Sequence, residues 1–107
     1  MTFKPMPWGK FGYVNFTHLM KTEPNAEIIA HAEKNYDIWT RYLLKHKNCP
    51  DHITELYAKS PVWYHRFAAV LPKARYQRFK HLLMNDTDKR IQRAVQAAEE
   101  MKWGEAV

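Results

Sequence analysis

The chain of 107 residues has little cysteine, little glycine and no long apolar run. Its one cysteine excludes an internal disulfide, so packing alone must hold the fold, as in proteins of a reducing cytosol. No stretch approaches the ~18 consecutive apolar residues of a membrane-spanning helix. The N-terminus also lacks the apolar segment of a secretory signal. These absences predict a cytoplasmic protein with no membrane partner.

The length fits a single domain over residues 1–107, and the apolar content of 46% is that of an ordinary globular chain. Residues 1–24 differ from the rest, because glycine and proline interrupt a series of aromatic residues there. This segment is predicted to be an irregular arm that either caps the domain or orders on a partner. Helical repeats are predicted over residues 25–103.

Beyond the arm, apolar side chains recur at spacings of three and four residues, which is the period of an α-helix. The pattern predicts six short helices, five of them near residues 26–34, 36–46, 51–59, 61–71 and 87–103. The remaining helix, fifth in order, is marked by Tyr76, Phe79, Leu82 and Leu83. No segment has the period of two that predicts a strand. The fold class is therefore predicted to be all-α.

Proline and capping residues mark where these helices begin. Pro50, Pro61 and Pro72 each suit the first helical position, where a missing N–H leaves no hydrogen bond unmade. N-cap side chains are predicted at Asn25, Cys49, Ser60 and Asp86.

The chain repeats itself weakly at an interval of about 25 residues. At this interval Trp39 aligns with Tyr64, and Arg41 aligns with Arg66. A third unit aligns Ala68 with Ala94. Three helical pairs are predicted, and units of this kind bury their apolar faces mainly against their neighbours.

The middle unit, residues 45–70, carries an ordered set of short motifs. They are Asn48, Cys49 and Pro50 at the opening, Ser60 and Pro61 in the middle, and Arg66, Ala68 and Ala69 at the close. In this order they resemble the leucine-rich-repeat-variant unit, a short HEAT-like helical repeat that reads Asn-Thr-Pro, then Asp-Pro, then Val-Arg-x-Ala-Val. The similarity covers residues 25–97, although the first unit lacks the Asp-Pro step and the third lacks its proline.

The resemblance implies a small right-handed α-solenoid of about three helical pairs, with some helices of the 3₁₀ type. It implies no catalytic residues and no cofactor. A compact bundle of five or six helices is the alternative architecture, since a bundle can carry similar caps.

Seven aromatic residues lie at helical spacing, where rings either fill a core or stack nucleobases. They are Trp39, Tyr42, Trp63, Tyr64, Phe67, Tyr76 and Phe79. Each ring buries about 150–250 Å², and a small domain has few such residues to spare. We therefore predict that these rings pack in the core.

The net charge of +6 is concentrated in one part of the sequence. No acidic residue lies between Glu55 and Asp86, whereas basic and acidic residues balance outside that run. Its basic residues are Lys59, Arg66, Lys73, Arg75, Arg78 and Lys80. These six either form a solvated face that covers the core or are a partner- or phosphate-binding site.

Metal and catalytic sites are not predicted. His46, Cys49 and His52 are three residues apart, but three ligands fall short of the closed four-ligand shell of structural zinc. A nucleophile, a base and an orienting group are not found in a recognisable order. We expect no metal, no cofactor and no enzymatic activity.

The sequence favours a non-enzymatic interaction module that binds an acidic partner protein through the basic face. The alternative is a nucleic-acid-binding protein that contacts phosphates with the same residues. A small accessory protein of the phage type that acts on a host factor is a further alternative. The oligomeric state stays open.

Overall fold

The computed structural model describes residues 10–70 and 73–102, and their side chains apart from those of residues 70 and 73–75. In this part the chain is all-helical, as predicted. The elements are α1 (Phe16–Lys21), α2 (Ala26–Lys34), α3 (Ile38–Lys45), α4 (Asp51–Ala58), α5 (Trp63–Val70), α6 (Lys73–Phe79), a 3₁₀ turn (Lys80–Leu82) and α7 (Lys89–Glu100). None of the described helices is long and apolar enough to cross a membrane.

Helices α2 to α7 correspond to the six predicted helices, because a three-to-four spacing of apolar residues marks each of them. Helix α1 was not predicted. It lies inside the segment that we expected to be irregular, and Asn15 caps it by accepting a hydrogen bond from the His18 N–H at 2.9 Å. Residues 1–9 of the arm lie outside the described residues.

The described part of the arm packs against α2 and α3. Phe11 and Gly12 form a tight turn in the left-handed region, with φ of 58° and 85°. Such a backbone is unusual for phenylalanine. Lys10 and Tyr13 close this turn with two backbone hydrogen bonds. The Asn25 amide donates to the Phe11 carbonyl at 2.6 Å, and the Phe11 ring lies 5.8 Å from that of Trp39.

The capping predictions have mixed outcomes. Asn25 caps α2 as predicted, accepting from the Ile28 N–H at 3.0 Å. Cys49 does not cap α4, because Pro50 occupies that position and the Cys49 side chain is buried. The cap of α7 is Asp88, not Asp86, and it accepts from the Arg90 N–H.

Two apolar clusters lie one after the other along the chain. The first joins α1 to α4 around Leu19, Ile28, Leu43 and Ile53, which are fully buried. The second joins α4 to α7 around Tyr76, Leu83 and Ile91. Helices α4 and α5 supply side chains to both clusters. Tyr57 and Ala68 belong to the first cluster, and Ala58 and Ala69 belong to the second. These two helices therefore connect the clusters.

Packing links each helix to close neighbours in the sequence. Helix α2 packs on α3, and α4 packs on α5. Helices α2, α4 and α6 also contact one another in succession, as do α1, α3, α5 and α7.

A nearly buried ion pair anchors two segments of the chain to α5. The Arg66 guanidinium on α5 donates to both carboxylate oxygens of Asp86, at 2.6 and 3.3 Å, and to the Ser60 carbonyl at 2.8 Å. Only 16% of the Arg66 side chain and 7% of the Asp86 side chain are exposed. We call this contact the Arg66–Asp86 clamp. It fixes the α4–α5 loop and the α6–α7 segment to the same helix.

Asp86→Ala is expected to lower the free energy of unfolding by about 3 kcal/mol, because it leaves the Arg66 charge buried and uncompensated. Urea unfolding monitored by circular dichroism measures this loss. Asp51→Ala is the matched control, since it removes the carboxylate from an ion pair with Arg78 in which both side chains are at least half exposed. The control should cost less than about 1 kcal/mol; equal losses would contradict a special role for the clamp.

Candidate functional site

Three of the six residues of the predicted basic face pair with acids that lie outside the acid-free run: Arg66, Arg78 and Lys80. Arg66 is held inside the fold by the Arg66–Asp86 clamp. Arg78 pairs with Asp51 at the start of α4. No acid lies between Glu55 and Asp86 in the sequence, but folding places Asp51 and Asp86 beside basic residues of that run.

The other predicted site residues are dispersed. Lys80 lies 3.3 Å from Glu99 of α7. Lys59 is exposed and lines a groove beside α4. The side chains of Lys73 and Arg75 lie outside the described residues.

The histidines considered as metal ligands have other roles. His46 is buried, and its Nε2 donates to the Thr22 carbonyl at 2.6 Å. His52 is exposed and lies 3.4 Å from Glu33. Across the described residues, no group of three or more metal-ligating side chains is suited to hold an ion.

The aromatic residues divide between the core and the surface. Trp39, Tyr76 and Phe79 are buried, as predicted. The prediction is wrong for Tyr64, which is 49% exposed. Trp63 is only half-buried. Neighbouring residues on a helix point about 100° apart, so two adjacent rings cannot both enter one core.

A surface pocket of about 570 Å³ lies where α3, α5 and α7 meet. Four aromatic residues and two arginines contribute to its lining: Tyr36, Arg41, Trp63, Tyr64, Phe67 and Arg90. We call it the aromatic–arginine pocket. No acidic residue of the described part lines it.

The rings of the pocket are fixed by edge contacts. The Trp63 ring stands nearly perpendicular to those of Tyr64 and Phe67, at centroid distances of 5.8 and 6.0 Å. This edge-to-face geometry is favourable for aromatic pairs. The Arg90 guanidinium covers one face of Trp63 at 3.7 Å from the ring centroid, which is a close cation–π contact.

Arg90 is linked to the clamp through Asp88. Its Nε and Nη2 donate to the Asp88 carboxylate at 3.0 and 2.8 Å. The Asp88 N–H donates to Asp86 at 2.9 Å, so the residues that fix α7 also position the arginine over Trp63. The hydrogen bonds from Arg90 lower the pKa of Asp88 to about 2.

Arg41 and Tyr36 form the opposite side of the pocket. Arg41 is exposed and forms no ion pair with another described residue. The Tyr36 hydroxyl donates to the Tyr64 carbonyl at 3.4 Å. Burial raises the pKa of Tyr36, and the nearby positive charge of Arg41 opposes that shift.

A second depression of about 580 Å³ also has Tyr36 in its lining. We call it the α4 groove; the residues of interest in its lining are Glu33, Lys34, Glu55, Leu56, Lys59 and His65. His65 lies 2.8 Å from the Ser60 hydroxyl, and burial lowers the pKa of its imidazole.

Comparison of the chain with protein-family models, with curated proteins and with solved structures finds no match. The resemblance to the leucine-rich-repeat-variant unit stays a prediction from the motifs. The geometry of the pocket is therefore the basis for assigning a function.

The Asp88 carboxyl is expected to titrate near pH 2 in the folded protein, against an ordinary value of 3.8. Because the folded-state pKa is lowered, the stabilisation is present above pH 3.8 and is lost as the pH falls to about 2. Carbon-detected NMR of the carboxyl group measures the midpoint. In Arg90→Gln the midpoint should rise towards 3.8, whereas an unchanged midpoint would show that Arg90 does not hold Asp88.

Proposed function

We propose that this chain is a non-enzymatic interaction module that binds an acidic partner protein at the aromatic–arginine pocket. The observation that carries the proposal is the lining, in which arginines, tyrosines and a tryptophan meet without an acid. Tryptophan, tyrosine and arginine are the residues that most often dominate the energy of protein interfaces. The exposed charge of Arg41 gives this surface its preference for carboxylates.

The order of helix packing supports a solenoid-like arrangement. Helices α2, α4 and α6 form one row and α1, α3, α5 and α7 form the other, with the pairs α2–α3 and α4–α5 packed across the rows. Stacking of this kind is typical of HEAT-like repeats, whose extended surfaces bind other proteins. The pocket lies along the second row, where three successive helices meet.

Preorganisation supports a binding role. The Arg66–Asp86 clamp and the Asp88–Arg90 hydrogen bonds hold the Trp63 environment before any partner arrives. A surface whose side chains are already ordered loses less conformational entropy on binding.

Three residues of the predicted basic face are engaged in ion pairs within the fold. Arg66 is committed to the clamp, and Arg78 and Lys80 are paired with acids. Lys59 of the predicted set lines the α4 groove. Lys73 and Arg75 stay predictions, because their side chains lie outside the described residues.

Single-stranded nucleic acid is the alternative ligand, because exposed Tyr64 offers a ring for base stacking. Proteins of that kind combine several stacking rings with a basic groove that follows the backbone. Here Arg90 covers one face of Trp63, and Asp88 offsets its charge. These contacts favour a protein partner.

Arg41→Glu is expected to abolish capture of the partner, because it places an acid beside the partner's carboxylates. The measurement is a pull-down from the native host with quantification of each recovered protein by mass spectrometry. Lys47→Glu is the matched control, since Lys47 is exposed, carries the same charge change and lies outside the pocket.

Proteins recovered with the wild type and with Lys47→Glu, but not with Arg41→Glu, should carry acidic segments. Identical recovery by all three would contradict the proposed surface. Retardation of a single-stranded oligonucleotide at low salt, lost in Arg41→Glu, would instead assign the pocket to nucleic acid.

A further inference from the structure

Three aromatic rings form a column that runs from the core to the surface beside α1. The Trp39 ring is 4% exposed and lies 4.6 Å from that of Phe16. The Phe16 ring stacks on that of Tyr42 at 4.2 Å, with the two planes only 9° apart. Both outer residues are half-buried, so the column ends at the surface. We call Phe16 and Tyr42 the stacked pair.

A surface pocket of about 410 Å³ lies at the stacked pair, between α1 and α3. Its lining also includes Met20 and Lys21 of α1. We call it the stacked-pair pocket. Its volume is within the range of about 300–1,000 Å³ that is typical of ligand sites. It shares no lining residue with the aromatic–arginine pocket, so it is a separate place on the surface.

The charge around the stacked-pair pocket is positive. Lys21 lies in its lining, and the Lys45 ammonium lies over the Tyr42 ring at 5.5 Å from the ring centroid. Neither lysine forms an ion pair with a described residue. No acidic residue of the described part lines the pocket, and the Glu23 carboxylate beyond α1 accepts a hydrogen bond from the Asn48 amide at 2.6 Å. An anionic ligand therefore meets two lysines without acidic partners.

We propose that the stacked-pair pocket binds one nucleotide unit of a single-stranded nucleic acid. The base stacks on the face of Tyr42 that Lys45 covers, and the phosphates lie against Lys21 and Lys45. Aromatic rings beside a basic surface are the means by which proteins bind such strands without sequence preference. This site goes beyond the proposed function and does not depend on it.

The exchange of the ammonium for a base is favourable. Phe16 occupies one face of Tyr42, so a base takes the face over which the Lys45 ammonium lies. An exposed ammonium–ring contact changes an equilibrium constant by a factor of about two to five, whereas a stacked base changes it by about five to 150. The released ammonium then pairs with a phosphate.

The column also distinguishes between anionic ligands. Trp39 backs Phe16 from the core, and Phe16 holds Tyr42 in a parallel stack, so the ring is ordered before a strand arrives. An acidic protein segment would meet the same two lysines, but a carboxylate has no ring that stacks on Tyr42. The arrangement therefore favours a nucleic acid at this site.

Binding is measured by fluorescence anisotropy with a labelled 12-nucleotide oligouridine, over a series of salt concentrations from about 50 mM upwards. Tyr42→Leu should weaken binding about tenfold or more, because it removes the stacking ring. Tyr42→Phe keeps the ring and should bind like the wild type. If Tyr42→Leu loses its helical circular dichroism, the lysine variants decide the result.

Lys21→Gln should weaken binding and should reduce the slope of log affinity against log salt by about 0.7, the value for one phosphate contact on a single strand. Lys89→Gln is the matched control and should leave the slope unchanged. Lys89 is exposed, loses the same charge and lines none of the three pockets.

Four results would overturn the proposal. The first is a wild-type chain that does not bind oligouridine, or Lys21→Gln that behaves like Lys89→Gln. The second is loss of binding in Arg41→Glu but not in Tyr42→Leu, which would place the strand in the aromatic–arginine pocket. The third is uridine monophosphate that binds as tightly as the strand, which would assign the site to a free nucleotide. The fourth is tighter binding of a polyglutamate peptide that Lys21→Gln weakens, which would assign it to a protein.

Discussion

The clamp between Arg66 and Asp86 fixes the α4–α5 loop and the segment before α7 to one helix. It satisfies the guanidinium from two directions, through the Asp86 carboxylate and the Ser60 carbonyl, and so joins α5 to segments before and after it. The same carboxylate accepts from the Asp88 N–H, and Asp88 holds the arginine that covers Trp63. A nearly buried ion pair is weak evidence for stability, but here its geometry sets the shape of the pocket.

The distribution of charge along the sequence differs from its distribution in the folded chain. No acidic residue lies between Glu55 and Asp86, and this run predicts one strongly basic face. Folding brings Asp51 to Arg78 and Glu99 to Lys80, because α4 and α7 pack beside the helices of that run. The arginines in the lining of the aromatic–arginine pocket are Arg41 and Arg90, and both lie outside the run.

Local signals in the sequence were enough to predict α2 to α7, since periodicity and the Asn25 cap depend on residues a few positions apart. Helix α1 has six residues, too few for a period to emerge, and only Asn15 marks its start. The pocket depends on contacts between residues that are far apart in the sequence, such as Arg41 and Arg90, and periodicity carries no information about them. The adjacent rings at positions 63 and 64 were the one local indication of an aromatic surface.

The environment of Trp63 is the proposed binding surface. The most direct measurement is a two-dimensional ¹⁵N–¹H NMR titration of the chain with an acidic peptide from a partner recovered in the pull-down, with the Trp63 indole resonance assigned from Trp63→Phe. We expect this indole signal and the backbone signals of Tyr64 and Arg90 to shift together and saturate at one affinity. Shifts confined to the 3₁₀ turn and Arg78, with the Trp63 indole unmoved, would contradict it.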